Sequence, residues 1–123
     1  METIDIVRKF GEDALKVERV LRKSRIAGNP GRVVFLLDMA QRDSGVFQKD
    51  VVGAMDLPKE VVSKLVKSLV QAGLLTQKRM GINARIKILV TEKPGKALLA
   101  RVKAALQKQT PRRMRLTLLD GPF

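Results

Sequence analysis

The chain has 123 residues, 45% of them apolar and only 3% aromatic, with 25 Lys and Arg against 12 Asp and Glu for a net charge of +13. That length suits one domain with a real core, built here from Leu, Val and Ile. The lack of Cys excludes disulfides, thiolate metal sites and thiol switches, and there is no His either. No apolar run approaches the roughly 18 residues of a membrane span. The first residues, METIDIVRK, do not read as a signal segment. A cytoplasmic protein without membrane contact is expected.

In chain order, a long helix is predicted over 4–26. Ile4, Val7, Phe10, Ala14, Val17 and Leu21 recur at spacings of three and four, with Ile6, Leu15 and Val20 widening the stripe. Thr3 suits its N-cap and Asp5 its first turn. The simpler role for such a helix is to fill the core; a helix this long in a small domain also suits a dimer seam. Ala27-Gly28-Asn29-Pro30-Gly31 breaks it. A second helix follows from Arg32 to about Arg42, ended by Asp43-Ser44-Gly45.

From Val46 the pattern tightens. Val46-Phe47 has the length of a one-bridge strand, and Gln48 to about Met55 forms a short helix. Asp56-Leu57-Pro58 then makes a turn in which Pro58 suits the first helical position. The next helix runs to about Ala72, with Gly73 as its cap residue. At 100° per residue, Val61, Val62, Leu65, Val66, Leu69 and Ala72 share one side. Glu60, Ser63, Lys64, Lys67 and Gln71 share the other, with Lys59 at its edge. Two strands, 74–79 and 86–91, flank Met80-Gly81-Ile82-Asn83-Ala84, where Gly81 and Asn83 suit the positive φ of a hairpin. Arg79, Arg85 and Lys87 surround that loop. Last comes a helix over about 93–109, striped by Leu98, Leu99, Val102, Ala105 and Leu106. A basic tail, 110–123, follows it and reads either as an added strand or arm, or as a frayed end.

Charge follows the same division. Residues 1–57 carry 10 Lys and Arg against 9 Asp and Glu, whereas residues 58–123 carry 15 against 3. A surplus that starts with the second helix of a helix-turn-helix points to a polyanion. On that helix Lys59, Lys64 and Lys67 suit phosphates and guanine edges, Ser63 and Gln71 suit base edges, and Glu60 suits cytosine N4. Arg79, Arg85 and Lys87 suit a narrow minor groove. An ordinary solvated helix side and a hairpin made soluble by charge are the plainer readings of the same residues.

The block Gln48-Lys49-Asp50-Val51, the exit Ala72-Gly73-Leu74-Leu75 and the later Val90-Thr91-Glu92-Lys93-Pro94-Gly95 resemble the winged helix of MarR-type transcriptional regulators over roughly residues 32–106. The resemblance implies a mainly α fold with a small β-hairpin wing, dimerised through its N- and C-terminal helices. It also implies a minor-groove role for Arg85. In the family an Asp two residues ahead steadies that Arg; Asn83 stands there, able to hydrogen-bond it but not to form an ion pair. The chain is therefore expected to be one winged-helix domain over 1–123, with the helix-turn-helix and wing at 32–91.

The leading expectation is a homodimeric, sequence-specific double-stranded-DNA-binding transcriptional regulator. It uses no metal or other cofactor, and the sequence offers no site residues for a small-molecule effector. Alternatives are a replication, partition or nucleoid-type DNA-binding protein, or a winged-helix interaction module in a larger nucleic-acid machine. Catalysis is not expected: no nucleophile–base pair, phosphate loop or carboxylate cluster stands out.

Overall fold

Residues 3–42 and 45–107 are described by a computed structural model. In order they form α1 (Thr3–Lys23), α2 (Pro30–Gln41), β1 (Val46–Phe47), α3 (Gln48–Met55), α4 (Lys59–Gln71), β2 (Leu75–Met80), β3 (Ile86–Thr91) and α5 (Lys93–Gln107). The expected tail 110–123, the last residues of the 93–109 helix and the Asp43-Ser44 break lie outside the described residues.

Backbone capping explains where the boundaries differ from expectation. Helix α1 stops at Lys23 rather than 26 because Arg25 turns left-handed at φ 59°. Arg25 N–H then returns to the Arg22 carbonyl at 3.0 Å and Ile26 N–H to that of Leu21 at 2.9 Å. At its other end the helix already includes Thr3. Helix α2 starts two residues earlier than Arg32, because Asn29 caps it: its side chain accepts from the Arg32 N–H at 3.2 Å, with Pro30 in the first turn. Pro58 is the N-cap of α4 and not its first helical residue. Its ring fixes φ at −56°, but ψ is 143°, so the residue is extended. The exit of α4 closes with Gly73 N–H on the Val70 carbonyl and Leu74 N–H on that of Leu69, both at 3.0 Å.

The strands form one antiparallel sheet in the order β1-β3-β2. Val46 lies opposite Leu89, and β2 pairs with β3 from Leu75↔Thr91 to Met80↔Ile86. The hairpin is thus one part of a three-stranded sheet whose edge is supplied by the two residues that lead into α3.

Leu36 and Leu37 of α2, Val51 of α3, Val62 and Leu69 of α4, Leu89 of β3 and Leu98 of α5 meet in a single core and are fully enclosed. Each such side chain contributes on the order of 1.5–3 kcal/mol by leaving water. The buried Thr91 hydroxyl donates to the Leu37 carbonyl at 2.8 Å and ties the sheet to α2. At the start of α5 a Cβ on Gly95 would lie 2.4 Å from the Leu74 carbonyl oxygen, so only glycine lets α5 pack against the exit of α4.

Helix α1 does not fill the core along its length. Only Leu21 is buried, with Val17 and Val20 partly so. Ile4, Ile6, Val7, Phe10 and Leu15 are exposed, Phe10 to 76%. Among the described residues no helix is long and apolar enough to cross a membrane.

Candidate nucleic-acid interface

The periodicity of α4 sorts its side chains as an amphipathic helix must. Val62, Val66 and Leu69 are buried, while Lys59, Glu60, Lys64, Lys67 and Gln71 are exposed. Ala72, placed on the apolar side by its spacing, is the exposed C-cap instead. Ser63 also departs from the expected face. It is half-buried, and its hydroxyl oxygen accepts a long hydrogen bond, 3.4 Å, from the Gln48 amide. Glu60 lies in the first turn, where a carboxylate stabilises the positive end of the helix.

The wing turns at Ile82–Ala84, where the backbone goes left-handed at Asn83 and Ala84. Gly81 has φ 83°, Asn83 φ 59° and Ala84 φ 53°, so the positive φ expected at Gly81 and Asn83 is present. No side-chain hydrogen bond joins Asn83 to Arg85 among the described residues. Asn83 serves the backbone: asparagine tolerates the left-handed region better than most side chains.

Arg79 and Lys87 are direct partners across β2 and β3. Like charges so placed repel each other, and an anion beside them relieves the repulsion. Lys59, Arg85 and Lys87 converge on a cleft of about 450 Å³ between the wing and the starts of α3 and α4. Lys49 lines it too, along with Phe47 and Val52. The sequence pattern did not single out Lys49, because nothing local says that the first turn of α3 faces the wing.

The ion pairs of the described residues lie on α1 and α2: Lys9 and Lys16 with Asp13, Arg22 with Glu18, Arg42 with Asp38. Among the described residues no ion pair engages Lys49, Lys59, Lys64, Lys67, Arg79, Arg85 or Lys87. No group of three or more metal-ligating side chains occurs among the described residues.

The fold is shared with solved proteins. Tm0710, a transcriptional regulator of Thermotoga maritima, superposes with a TM-score of 0.73 at 18% identity, over 92% of this chain and 78% of its own. A MarR-family transcriptional regulator of Rhodococcus sp. RHA1 gives 0.62 at 22% identity, over 100% and 98%. MepR of S. aureus, in its DNA complex, gives 0.68 at 17% identity, over 96% and 95%. The fold is the MarR-type winged helix. No protein-family model matches the sequence, and no curated protein matches it. In the MarR-type arrangement α3 and α4 are the helix-turn-helix, β2 and β3 the wing, and α1 and α5 the terminal helices outside it.

Proposed function

We propose that this chain is a homodimeric transcriptional regulator that binds double-stranded DNA sequence-specifically. The observation that carries the reading is the set of cations shared by α4 and the wing that form no ion pair among the described residues. Lys49, Lys59, Arg85 and Lys87 surround one cleft, and Lys64 and Lys67 extend the positive surface along the exposed side of α4. An α-helix fits the major groove, and a basic hairpin beside it reaches the neighbouring minor groove. In this arrangement Lys64, Lys67 and Gln71 face base edges and phosphates, Arg85 enters the minor groove, and Lys49, Lys59 and Lys87 hold the backbone between them. Arg79 adds charge on the wing, Asn83 shapes its tip, and Ser63 supports α4 from within. The DNA-bound state of MepR, with the same fold, supports the reading.

The second copy is called for by α1. A run of exposed Ile4, Ile6, Val7, Phe10 and Leu15 is more apolar surface than a soluble monomer leaves on one helix. Phe10 also lines a groove between α1, α2 and α5, together with Phe35, Leu99 and Leu106. A two-fold dimer built on these helices presents two α4 helices to half-sites about one DNA turn, roughly 34 Å, apart.

Selecting bound duplexes from a random pool at physiological salt tests the proposal. The expected product is one inverted repeat. Recovery of unrelated duplexes with no common symmetric site would sink it.

A further inference from the structure

From the buried contacts of Gln48 we infer that this residue positions the wing relative to the recognition helix, and so sets how faithfully the two read one DNA site. The inference rests on the DNA-binding reading above. Gln48 opens α3, yet its side chain is 6% exposed and turned inward. Its Oε1 accepts from the Gln77 amide of β2 at 2.7 Å, and its own amide donates to the Ser63 hydroxyl of α4 at 3.4 Å. One side chain therefore bridges three elements.

The Gln48–Gln77 bond is the one side-chain hydrogen bond, among the described residues, from the sheet to either helix of the helix-turn-helix. Gln77 lies opposite Leu89, which in turn faces Val46, so the bridge attaches at the base of the wing. Beyond that row the hairpin, with Arg79 and Arg85, extends free of polar ties to α3 and α4. A reading head that uses two grooves needs its parts held to within about 0.5 Å by groups behind the contacting residues. A buried amide does this directionally. Its oxygen and its N–H₂ are satisfied only while β2 and α4 keep their present separation, and an apolar side chain of the same size fills the space without fixing the angle.

The test uses the full chain and the duplex that it selects from a random pool. Affinities for that duplex and for a scrambled duplex of equal length are measured for wild type, Gln48→Met, Arg85→Ala and the double variant. All are measured below the onset of each variant's thermal melt. One hydrogen bond of ordinary net strength and one long, weaker one together correspond to about tenfold in an equilibrium. Gln48→Met is therefore expected to lower the selected-to-scrambled ratio by about tenfold, with scrambled-duplex affinity unchanged because no charge is altered. Arg85→Ala should lose less in the Gln48→Met background than alone, since the two act together. A purely structural role would lower the melting temperature and leave the ratio and this coupling untouched. A ratio within twofold of wild type, or equal loss on both duplexes, overturns the inference while leaving DNA binding standing. If the wild type prefers no duplex, the functional reading fails first and takes the inference with it. Should Gln48→Met not fold, Gln77→Val breaks the same bridge from a half-exposed strand position and is judged by the same ratio.

Discussion

The two ends of this molecule solve different problems with the same kind of helix. On α1 the outward residues are Ile4, Val7 and Phe10, and the nearby charges are neutralised in pairs such as Lys9 with Asp13. On α4 the outward residues include Lys59, Lys64 and Lys67, and among the described residues none of them forms an ion pair. Both helices are amphipathic, yet in α1 part of the apolar side is left uncovered, whereas in α4 it is the charge that lacks a partner. Apolar surface left in water calls for another apolar surface; uncompensated cations call for a polyanion that exchanges its counterions for them. What an element lacks thus says more about its partner than what it contains.

That contrast can be broken in steps, beginning with salt. If roughly 6–10 phosphates are contacted, duplex affinity should fall on the order of 10³-fold or more between 50 and 200 mM salt. Dimerisation through apolar α1 should scarcely change over the same range. Titrating DNA binding and sedimentation in parallel checks both, and matched salt responses would erase the distinction between the ends.

Next is Phe10→Glu. Both copies lose the burial of an aromatic side chain, so the dimer dissociation constant should rise by about 10³-fold or more at two to three kcal/mol each. The fold should survive, because Phe10 is outside the core. A variant that stays dimeric at micromolar concentration would show that α1 is not the seam.

Gly95→Ala probes the junction between the ends. With its Cβ pressed on the Leu74 carbonyl, overpacking should cost about 1–3 kcal/mol of folding free energy, read as a lower denaturant midpoint. An unchanged midpoint would mean that the α5–α4 contact yields easily.

The smallest effects are expected within the interface itself. Lys67→Ala should weaken all duplexes to a similar degree and lower the salt slope by about one. Arg85→Ala should lose about tenfold, chiefly on duplexes with an A·T-rich flank. Equal, sequence-independent losses for both would remove the minor-groove role of Arg85.

Local chemistry made most of the fold legible. The bounds of α3 and of β3 follow from periodicity and turn residues, and the order of helix, helix and hairpin was readable for the same reason. Non-local facts were not. That Val46-Phe47 pairs with the middle of β3, and so makes the hairpin part of a sheet, is settled by residues more than forty positions away. The site divides in the same manner. Wheel geometry placed Lys59, Lys64, Lys67 and Gln71 outward, but it cannot see that Gln48 reaches Ser63 from behind. Nor does it show that Lys49 shares a cleft with Lys59. Helix α1 stayed open between core and dimer seam for a related reason: a stripe reports that a partner surface exists, not which chain carries it.

The glycine at the start of α5 has a mechanical consequence. Because Gly95 lets the helix abut the exit of α4, the far end of α5 is joined to α4 by a rod of 15 residues, about 22 Å at 1.5 Å per residue. In the proposed dimer that rod works as a ruler. The distance between the two bound half-sites is then written in helix length, and a residue inserted into α5 would shift and rotate one reading head against the other without touching a single base contact.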